Sequence, residues 1–410
     1  MNLFTSLTLP NGVVLKNRIA KAAMEENMAD SNHAPSRELI QLYQKWAKGG
    51  ANLLITGNVM INHKAMTGPN GVVFEDSQHI DQFIQWAKKT RQYGGQIVMQ
   101  INHPGRQMQA ALGQQTLAPS AVALDMGTYS NKFSIPKEMT LQDINDAISK
   151  FVTTAKLAEN AGFSGVQIHA AHGYLISQFL SPLTNRRLDQ WGGNIINRSR
   201  ILLEIIQKIR ATVSPQFIVA VKLNSADFQK GGFNVDDAQT VVKMLNNEKI
   251  DFVELSGGSY ESPAMQGQTK ENNTSLAREA YFLEFAKQIM TKAQMPIMVT
   301  GGIKNLIVAE KVIQSGISLV GIATALAIKP ELPNLWKNGI DPNITLPTLN
   351  WKNKVLASLA RMAIVKYQLL LHSKGQKSNI NVHPIWAFLI QQFAQLAQTK
   401  RYKKWVSTKI

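Results

Sequence analysis

The sequence predicts a (β/α)8 (TIM) barrel, an α/β fold, with an N-terminal β-hairpin and a helical C-terminal extension. Eight short β-branched runs alternate with longer helical patterns. The runs are almost continuously apolar, as in parallel strands covered on both faces, and eight such units over about 330 residues are typical of this barrel. An open doubly wound sheet would favour a Gly-x-Gly-x-x-Gly turn after the first strand, and the sequence has none there.

The predicted elements begin with a hairpin. Two apolar stretches, Leu3–Leu9 and Val13–Lys16, flank Pro10-Asn11-Gly12, and Asn-Gly between apolar stretches is a strong hairpin signal. We expect this hairpin to close the bottom of the barrel. The predicted strands are Arg18–Ala22, Asn52–Thr56, Gln96–Ile101, Gly165–His169, Phe217–Leu223, Phe252–Leu255, Ile297–Thr300 and Leu319–Ile322.

A long stretch with little periodicity, Gly105–Pro136, follows the third strand and predicts a loop that shapes substrate access. The barrel is expected to cover residues 1–335, and a basic helical extension residues 336–410. The extension has helical patterns at Asn353–Leu371 and Pro384–Lys404. We expect an apolar face of the second helix to pack on the barrel or on a sister subunit, which leaves a homo-oligomer open. That face consists of Trp386, Leu389, Ile390, Phe393 and Leu396.

Composition narrows the classes of function. Of 410 residues, 44% are hydrophobic and 17% are charged, which indicates a globular protein. The chain has no cysteine, and this excludes disulfides, thiolate nucleophiles and cysteine-ligated iron–sulfur clusters. The first six residues lack the pattern of a secretory signal, and no run approaches the ~18 apolar residues of a membrane span, so we expect a cytoplasmic protein.

The net charge of +17 is unevenly distributed. Residues 331–410 contain twelve Lys and Arg against two acidic residues, so this segment contributes 12 − 2 = +10. A basic surface attracts anionic partners, but a solvated basic tail explains the charge equally well, and contact with nucleic acid or membrane is not expected. Binding of the last helix to a membrane surface is the lesser alternative, supported by Lys400, Arg401, Lys403 and Lys404.

The most informative motif is His169-Ala-Ala-His172-Gly-Tyr174, at the end of the fourth predicted strand. Side chains at the carboxyl ends of barrel strands face the active-site mouth. Two imidazoles and a phenol at that place suggest proton handling and catalysis. The spacing alone also permits a structural role or a metal site, but no cysteine and no glutamate at metal spacing supplies further ligands. We therefore expect no metal.

This motif and its flanks resemble the old yellow enzyme family of FMN-dependent ene-reductases. The resemblance covers about residues 1–335 and includes further motifs beyond the histidine cluster. These motifs are Lys16-Asn17-Arg18-Ile19, Gln100-Ile101-Asn102-His103-Pro104-Gly105-Arg106-Gln107, Ala118-Pro119-Ser120-Ala121, Glu138-Met139-Thr140, Gln178-Phe179-Leu180-Ser181-Pro182, Asn185-Arg186-Arg187, Gly192-Gly193-Asn194 and Thr300-Gly301-Gly302-Ile303. It implies an FMN cofactor, NAD(P)H as electron donor and reduction of activated C=C bonds in small α,β-unsaturated carbonyl compounds. Without an iron–sulfur cluster, electrons reach FMN directly from NAD(P)H, which implies a ping-pong cycle.

The resemblance also implies residue roles. His169 and His172 would hydrogen-bond the substrate carbonyl oxygen, and Tyr174 would protonate the α carbon. Gln100 would bind the pyrimidine edge of the flavin, and Lys222 would place positive charge near its N1 and O2 atoms. The remaining implied FMN contacts are Ala22, Ala23 and Met24 along the ring, Gly57 as a small residue beside it, and Gly301, Gly302, Ala323 and Thr324 at the phosphate.

Three positions depart from the family pattern. Glu25 stands where relatives often have Thr or Cys beside the flavin, Ala323-Thr324 replaces a Gly-Arg pair, and Lys222 replaces Arg. Lysine keeps the charge but loses the fork geometry of arginine. Two alternatives stay open: an FMN barrel that acts on amines or thioester-linked substrates, and a binding protein that docks through its basic C-terminal helix.

Overall fold

The computed structural model describes residues 2–264, 280, 282–342, 344–347 and 349–409, except for the side chains of residues 354 and 355. Eight parallel strands with intervening helices form a closed barrel, which confirms the predicted fold class. The predicted strand positions agree with the observed ones to within one or two residues. The strands are β1 (Ile19–Lys21), β2 (Leu53–Ile55), β3 (Gln96–Asn102), β4 (Gly165–Ala170), β5 (Ile218–Asn224), β6 (Phe252–Ser256), β7 (Ile297–Thr300) and β8 (Leu319–Ile322).

The barrel closes because every strand pairs in parallel with its sequence neighbours and β8 pairs with β1. The register places Gln100 beside Gln167, and His169 beside Lys222. Thr300 of β7 lies beside Gly321 of β8. Alternate residues of each strand therefore face the interior in shared layers.

The lower interior layers are apolar, and the predicted hairpin seals them. The hairpin strands Leu7–Thr8 and Val14–Leu15 pair antiparallel. Leu9 and Leu15 belong to the same buried cluster as the inward-facing residues of seven barrel strands. These inward-facing residues are Ala20, Ala22, Leu53, Ile55, Val98, Ile218, Ala220, Phe252, Met298 and Leu319.

Helices surround the barrel, and several begin where a side chain caps free backbone N–H groups. The side chains of Ser36, Thr140, Asn194, Asn234 and Asn305 accept such hydrogen bonds. The helices around the barrel are α1 (Arg37–Lys48), α2 (Ile80–Arg91), α3 (Leu141–Asn160), α4 (Leu175–Leu180), α5 (Ile195–Thr212), α6 (Val235–Leu245), α7 (Leu283–Met290), α8 (Leu306–Gln314), α9 (Thr324–Ile328) and α10 (Leu332–Lys337).

Two excursions extend the mouth of the barrel. After β2, the short strands Val59–Met60 and Val72–Val73 pair in parallel, and the first also pairs with the end of β3. After β3, the predicted loop contains short 3-10 turns and a two-residue strand, Leu117–Ala118, which pairs with Lys137–Glu138. Both excursions leave the carboxyl ends of neighbouring strands, so they lie above the interior.

The extension consists of α11 (Lys354–Ser373) and α12 (Pro384–Val406). On α11, His372 Nε2 lies 3.2 Å from the Ile328 carbonyl oxygen, and Lys45 Nζ lies 2.8 Å from His372 Nδ1. The end of α12 packs above the mouth excursions, where the Tyr402 hydroxyl donates to the His63 carbonyl at 2.9 Å. Most of the apolar face predicted to pack on the barrel or on a sister subunit does not meet the barrel, since Trp386, Leu389, Phe393 and Leu396 lie at the surface of this single chain, and packing on a sister subunit stays a prediction.

Candidate active site

The predicted histidine and tyrosine motif forms a compact group at the carboxyl end of β4. His169 is inward-facing and buried, and the chain then turns through two left-handed residues, His172 at φ 62° and Gly173 at φ 75°. Glycine suits this position because its φ angle is one that other residues rarely adopt, and a Cβ there would also lie 2.7 Å from Gln107 Oε1. This turn directs His172 and Tyr174 back over the barrel.

The His169 ring contacts the rings of both His172 and Tyr174. The His169 ring centroid lies 5.1 Å from that of His172 and 4.8 Å from that of Tyr174, with both pairs edge to face. The His172 backbone N–H donates to Asn224 Oδ1 at 3.0 Å, and His172 Nε2 lies 2.7 Å from Ser256 Oγ. Residues from β5 and β6 therefore hold the motif in place.

Both imidazoles are neutral at ordinary pH. Burial lowers the pKa of His169 well below its usual value. Repulsion from the protonated form of His172 and from the Lys222 ammonium lowers this pKa further. Burial and Lys222 also hold the pKa of His172 well below its usual value. The Ala171 backbone N–H donates to His169 Nδ1 at 3.3 Å, so the single proton of the neutral ring resides on Nε2. His169 therefore offers one N–H donor.

Tyr174 keeps its proton because its hydroxyl is buried. Burial raises the pKa of Tyr174 well above its usual value, and the nearby Tyr260 and Glu25 raise it further. The two tyrosine hydroxyl oxygens are 3.1 Å apart. The pKa of Tyr260 is raised for the same reasons, by burial first and then by Glu25. The Glu25 carboxylate therefore lies near the hydroxyls of Tyr174 and Tyr260. The Thr67 hydroxyl also donates to this carboxylate.

Beneath the rings lies a hydrogen-bonded polar layer. Gln100 Nε2 donates to Gln167 Oε1 at 2.7 Å, and Gln167 Nε2 donates to Glu254 Oε2 at 2.8 Å. The other carboxylate oxygen of Glu254 accepts from Lys222 at 2.9 Å and from the Thr300 hydroxyl at 2.7 Å. The layer joins β3 to β7, and its Lys222–Glu254 ion pair is buried.

Asn102 is an unsatisfied buried group in this site. It lies two residues beyond Gln100 on β3 and so faces the same interior. Its side chain is fully buried, and within the described residues neither its Nδ2 nor its Oδ1 has a hydrogen-bond partner. The Asn58 side chain hydrogen-bonds Tyr174, but its Oδ1 has no partner among the described residues. Because leaving buried amides unpaired is costly, this mouth fits a polar ligand that carries both donors and acceptors, such as the edge of a flavin.

The segment after β1 is held by a buried ion pair. Lys21 points away from the interior, and its Nζ lies 2.8 Å from Glu26 Oε1 and donates to the Tyr43 hydroxyl at 2.8 Å. Ala22 lines the interior, while Ala23 and Met24 are half-buried at the mouth. A Cβ on Gly57 would lie 2.0 Å from the Met24 carbonyl oxygen, so this glycine makes room for the β1 segment.

The predicted phosphate residues meet at the ends of β7 and β8. Gly301 and Gly302 have φ angles of 144° and 71°, and Gly302 is exposed. Ala323 packs against the barrel interior, whereas Thr324 is exposed. Of these four residues, Gly302 and Thr324 are therefore the ones most open to solvent. Among the described residues, no group of three or more His, Asp or Glu side chains is arranged to hold a metal ion.

Three residues of the site have no role in the sequence prediction. Glu254 lies inside a strand that appears only as an apolar run. Asn102 belongs to the motif at the end of β3 but has no role assigned there, and Tyr260 follows β6 in a segment with no recognised motif. The ion pair had one signal in the sequence: Lys222 and Glu254 occupy corresponding positions in two consecutive predicted strands, so parallel pairing of those strands places them side by side. Every predicted catalytic residue lies at the mouth, and Gln100 and Lys222 lie in the layer below it.

Eight parallel strands and this mouth define a cofactor-binding barrel enzyme. A model of the NADH:flavin oxidoreductase / NADH oxidase family matches residues 2–343, and the chain belongs to this family. It is the family that the sequence resemblance identified as that of old yellow enzyme. At the level of the family, the FMN cofactor, NAD(P)H as electron donor and NAD(P)H:flavin oxidoreductase activity are confirmed.

Several proteins are similar to this chain. The NADH-dependent flavin oxidoreductase iliE of Hypocrea jecorina is 35% identical over 348 residues, which are 80% of this chain and 86% of that protein. The iliE protein of a Neonectria species is 38% identical over 351 residues, again 80% of this chain but 46% of that protein. The chain thus spans about half the length of the second relative.

Solved structures have the same fold. A 2-naphthoyl-CoA reductase in complex with 2-naphthoyl-CoA has a TM-score of 0.76 and 25% identity, over 83% of this chain and 52% of that one. An old yellow enzyme homologue from Zymomonas mobilis has a TM-score of 0.71 and 24% identity, over 83% of this chain and 93% of that one. Within the described residues, no helix is long and apolar enough to cross a membrane.

Proposed function

We propose that this protein uses NAD(P)H and FMN to reduce activated C=C bonds of α,β-unsaturated carbonyl compounds. The observation that carries the proposal is the contact of two neutral imidazoles and one protonated phenol above a polar layer. An activated alkene needs donors at its carbonyl oxygen and a proton at its α carbon, and these are the groups that the mouth offers.

The histidines would act on the carbonyl oxygen. His169 offers the proton on its Nε2. When the Ser256 hydroxyl donates to His172 Nε2, the single proton of the neutral His172 ring is on Nδ1, and His172 offers that proton. Two fixed donors stabilise enolate charge as it develops, and the loss of one such donor typically costs about 3 kcal/mol in the barrier. Because both imidazoles are neutral, they act as hydrogen-bond donors to the carbonyl oxygen of the substrate, and the proton for the α carbon comes from Tyr174.

Tyr174 would deliver that proton. Its raised pKa keeps the hydroxyl protonated at neutral pH, and the Tyr260 hydroxyl at 3.1 Å lies close enough to hydrogen-bond it. A positioned general acid typically contributes a factor of about 10²–10⁴ in rate. The substrate would enter after the nicotinamide product leaves, because both use the same mouth.

The residues that would hold FMN surround this mouth. When bound, FMN would supply the hydride for the β carbon. The Gln100 amide and Asn102 would meet the polar edge of the ring, and the Lys222 ammonium would lie near it while paired with Glu254. The further proposed FMN contacts are Ala22, Ala23, Met24 and Gly57 along the ring and Gly301, Gly302, Ala323 and Thr324 at the phosphate.

Glu25 favours a second candidate, the oxidation of an amine. Its carboxylate lies near the hydroxyls of Tyr174 and Tyr260, whose pKa values it raises. A carboxylate beside two aromatic rings suits a cationic substrate, because both attract positive charge. In that reaction the substrate would reduce the flavin, and NAD(P)H would not be needed.

The direction of electron flow separates the two candidates. The flavin-loaded protein is mixed anaerobically with NADH or NADPH, and its visible absorbance is followed. We expect bleaching by a nicotinamide and recovery on addition of 2-cyclohexenone. Bleaching by an amine and no recovery with enones would overturn the ene-reductase proposal.

A matched pair of variants tests the role of Tyr174. Tyr174→Phe is expected to slow the enone-dependent recovery by about 10²–10⁴-fold and to leave bleaching by nicotinamide within a few fold. Tyr260→Phe removes the other hydroxyl of the same pair and is expected to slow recovery far less. The reverse order would assign proton delivery to Tyr260.

A further inference from the structure

The outward face of α12 carries a stripe of large apolar side chains. Trp386 is 59% exposed, Phe393 is 69% exposed and Leu396 is 64% exposed, and Leu389 lies between them. Residues three and four apart share one side of a helix, so these four form a continuous stripe. An exposed apolar stripe of this kind is typical of a surface that meets a partner.

The same side of the helix becomes basic further along. Lys400 follows Leu396 by four residues, and Lys404 follows Lys400 by four, so both continue the line of the stripe. Lys403 lies on the same side, and all three lysines are exposed. Beyond Asp341, the remaining 69 residues of the sequence contain eleven Lys and Arg and no Asp or Glu. The face therefore combines apolar area with positive charge.

The opposite side of α12 packs against α11 and against the excursions at the mouth of the barrel. Ala387 is buried in a cluster with Ala363 and Ile364 of α11. Tyr402 and Val406 are buried against the excursions, and the Tyr402 hydroxyl donates to the His63 carbonyl. The Trp405 ring lies 4.1 Å from the ring of His33, measured between centroids. The outward face is thus presented by a fixed helix and takes no part in that packing.

We propose that this face binds the surface of an anionic lipid membrane. A bilayer interface offers negative headgroups to the lysines and an apolar boundary to the stripe. If two copies of the chain met through this helix, each would present the same face without Asp or Glu. The positive charges of the lysines would then find no acidic partner on the other copy. Nucleic acid would supply negative charge but little cover for an exposed Trp, Phe and Leu. Charge complementarity and the apolar stripe together therefore favour lipid.

Docking through this face would also set the orientation of the enzyme. The end of α12 lies against Met108 and Leu112, in the excursion after β3. In the same excursion, Gln107 donates from Nε2 to the His172 carbonyl at 2.9 Å. The lysine end of the helix is therefore on the mouth side of the barrel. The lipid proposal does not depend on the reaction proposed above, because it concerns a surface outside the mouth.

Vesicle sedimentation of the flavin-loaded, full-length protein tests the proposal. We expect binding to vesicles of phosphatidylcholine with phosphatidylserine, little binding to phosphatidylcholine alone, and weakening by salt. Lys400→Gln with Lys404→Gln should weaken binding by about fivefold for each lysine. The control is Lys88→Gln with Lys89→Gln, which removes two exposed lysines from α2 and should leave binding unchanged.

A second pair of variants tests the apolar stripe. Leu396→Glu should weaken vesicle binding at least tenfold, because it removes a leucine and adds a negative charge. Leu188→Glu makes the same change at a fully exposed leucine outside the extension (103% exposed) and should have no effect. Bound flavin absorbance in each variant verifies that the barrel is intact.

Three results would overturn the proposal. The first is absence of binding to the anionic vesicles, and the second is equal loss of binding in Leu396→Glu and Leu188→Glu. The third is a dimer in sedimentation velocity that Leu396→Glu dissociates while vesicle binding is unchanged, which would assign the face to a second copy of the chain.

Discussion

Replacement of Lys21 by methionine is expected to cost about 3–5 kcal/mol of unfolding free energy. Lys21 is fully buried, and its Nζ lies 2.8 Å from Glu26 Oε1 and 2.9 Å from the Ile55 carbonyl oxygen. At 2.8 Å and an effective dielectric constant of about 20, the pair attracts by about 6 kcal/mol, which desolvation of both ions offsets in large part. Methionine preserves the volume but leaves the Glu26 carboxylate buried without its cation, and this imbalance sets the cost.

A double variant separates the charge effect from packing. Lys21→Met with Glu26→Leu removes both charges, and we expect it to recover most of the stability that the single variant loses. Urea unfolding of the flavin-loaded proteins measures the three free energies. A single variant that lost less than about 1 kcal/mol, or a double variant less stable than the single one, would refute the reasoning.

Three further predictions follow from the site. Ser256→Ala removes the hydroxyl 2.7 Å from His172 and should slow the enone half-reaction about fivefold in stopped-flow measurements, the equivalent of about 1 kcal/mol. Gly57→Ala should cost about 1–3 kcal/mol in urea unfolding, because its Cβ would lie 2.0 Å from a carbonyl oxygen. Burial lowers the pKa of His103 to about 3. The free energy of unfolding should therefore fall as the pH drops below about 6.5, because the histidine takes up a proton in the unfolded chain before it does so in the folded one. His103→Asn should reduce this loss by about 2 kcal/mol at about pH 5.

Each of these predictions has a matched control. The Ser256→Ala enzyme should be bleached by nicotinamide at the normal rate, and a slower bleaching would indicate a wider defect. Gly68→Ala meets only Asn27 Oδ1 at 3.5 Å, so it should be tolerated, and equal losses at both glycines would contradict the steric argument. His383→Asn changes an exposed histidine and should leave the pH dependence of stability intact, in contrast to His103→Asn.

The barrel and the proximity of His169, His172 and Tyr174 could be predicted because their signals are local. A strand buried on both faces must be apolar over its own length, and a turn that brings two imidazoles and a phenol together is written in six consecutive residues, His169–Tyr174. The hairpin signal was also local, since Pro10-Asn11-Gly12 alone specifies a tight turn. In each case the signal is contained in a short stretch of consecutive residues.

The features that escaped prediction are contacts between distant segments. Lys222 and Glu254 are 32 positions apart and meet only because β5 and β6 pair in one register. Tyr260 reaches Tyr174 from another loop. Helical periodicity showed which residues of α12 share a face, but which side of the helix would meet the barrel depends on Tyr402 and Val406, at the far end of the helix.

The ion pair in the polar layer has an electronic consequence. Lys222 is joined to Glu254, so the floor beneath the histidines carries opposite charges that cancel rather than a free ammonium. An isolated cation at this position would raise the electron affinity of a ring resting on it. A neutral pair does so much less. A ring bound above this ion pair would therefore have a lower electron affinity than one above a free ammonium, and it would pass electrons more readily to weak acceptors.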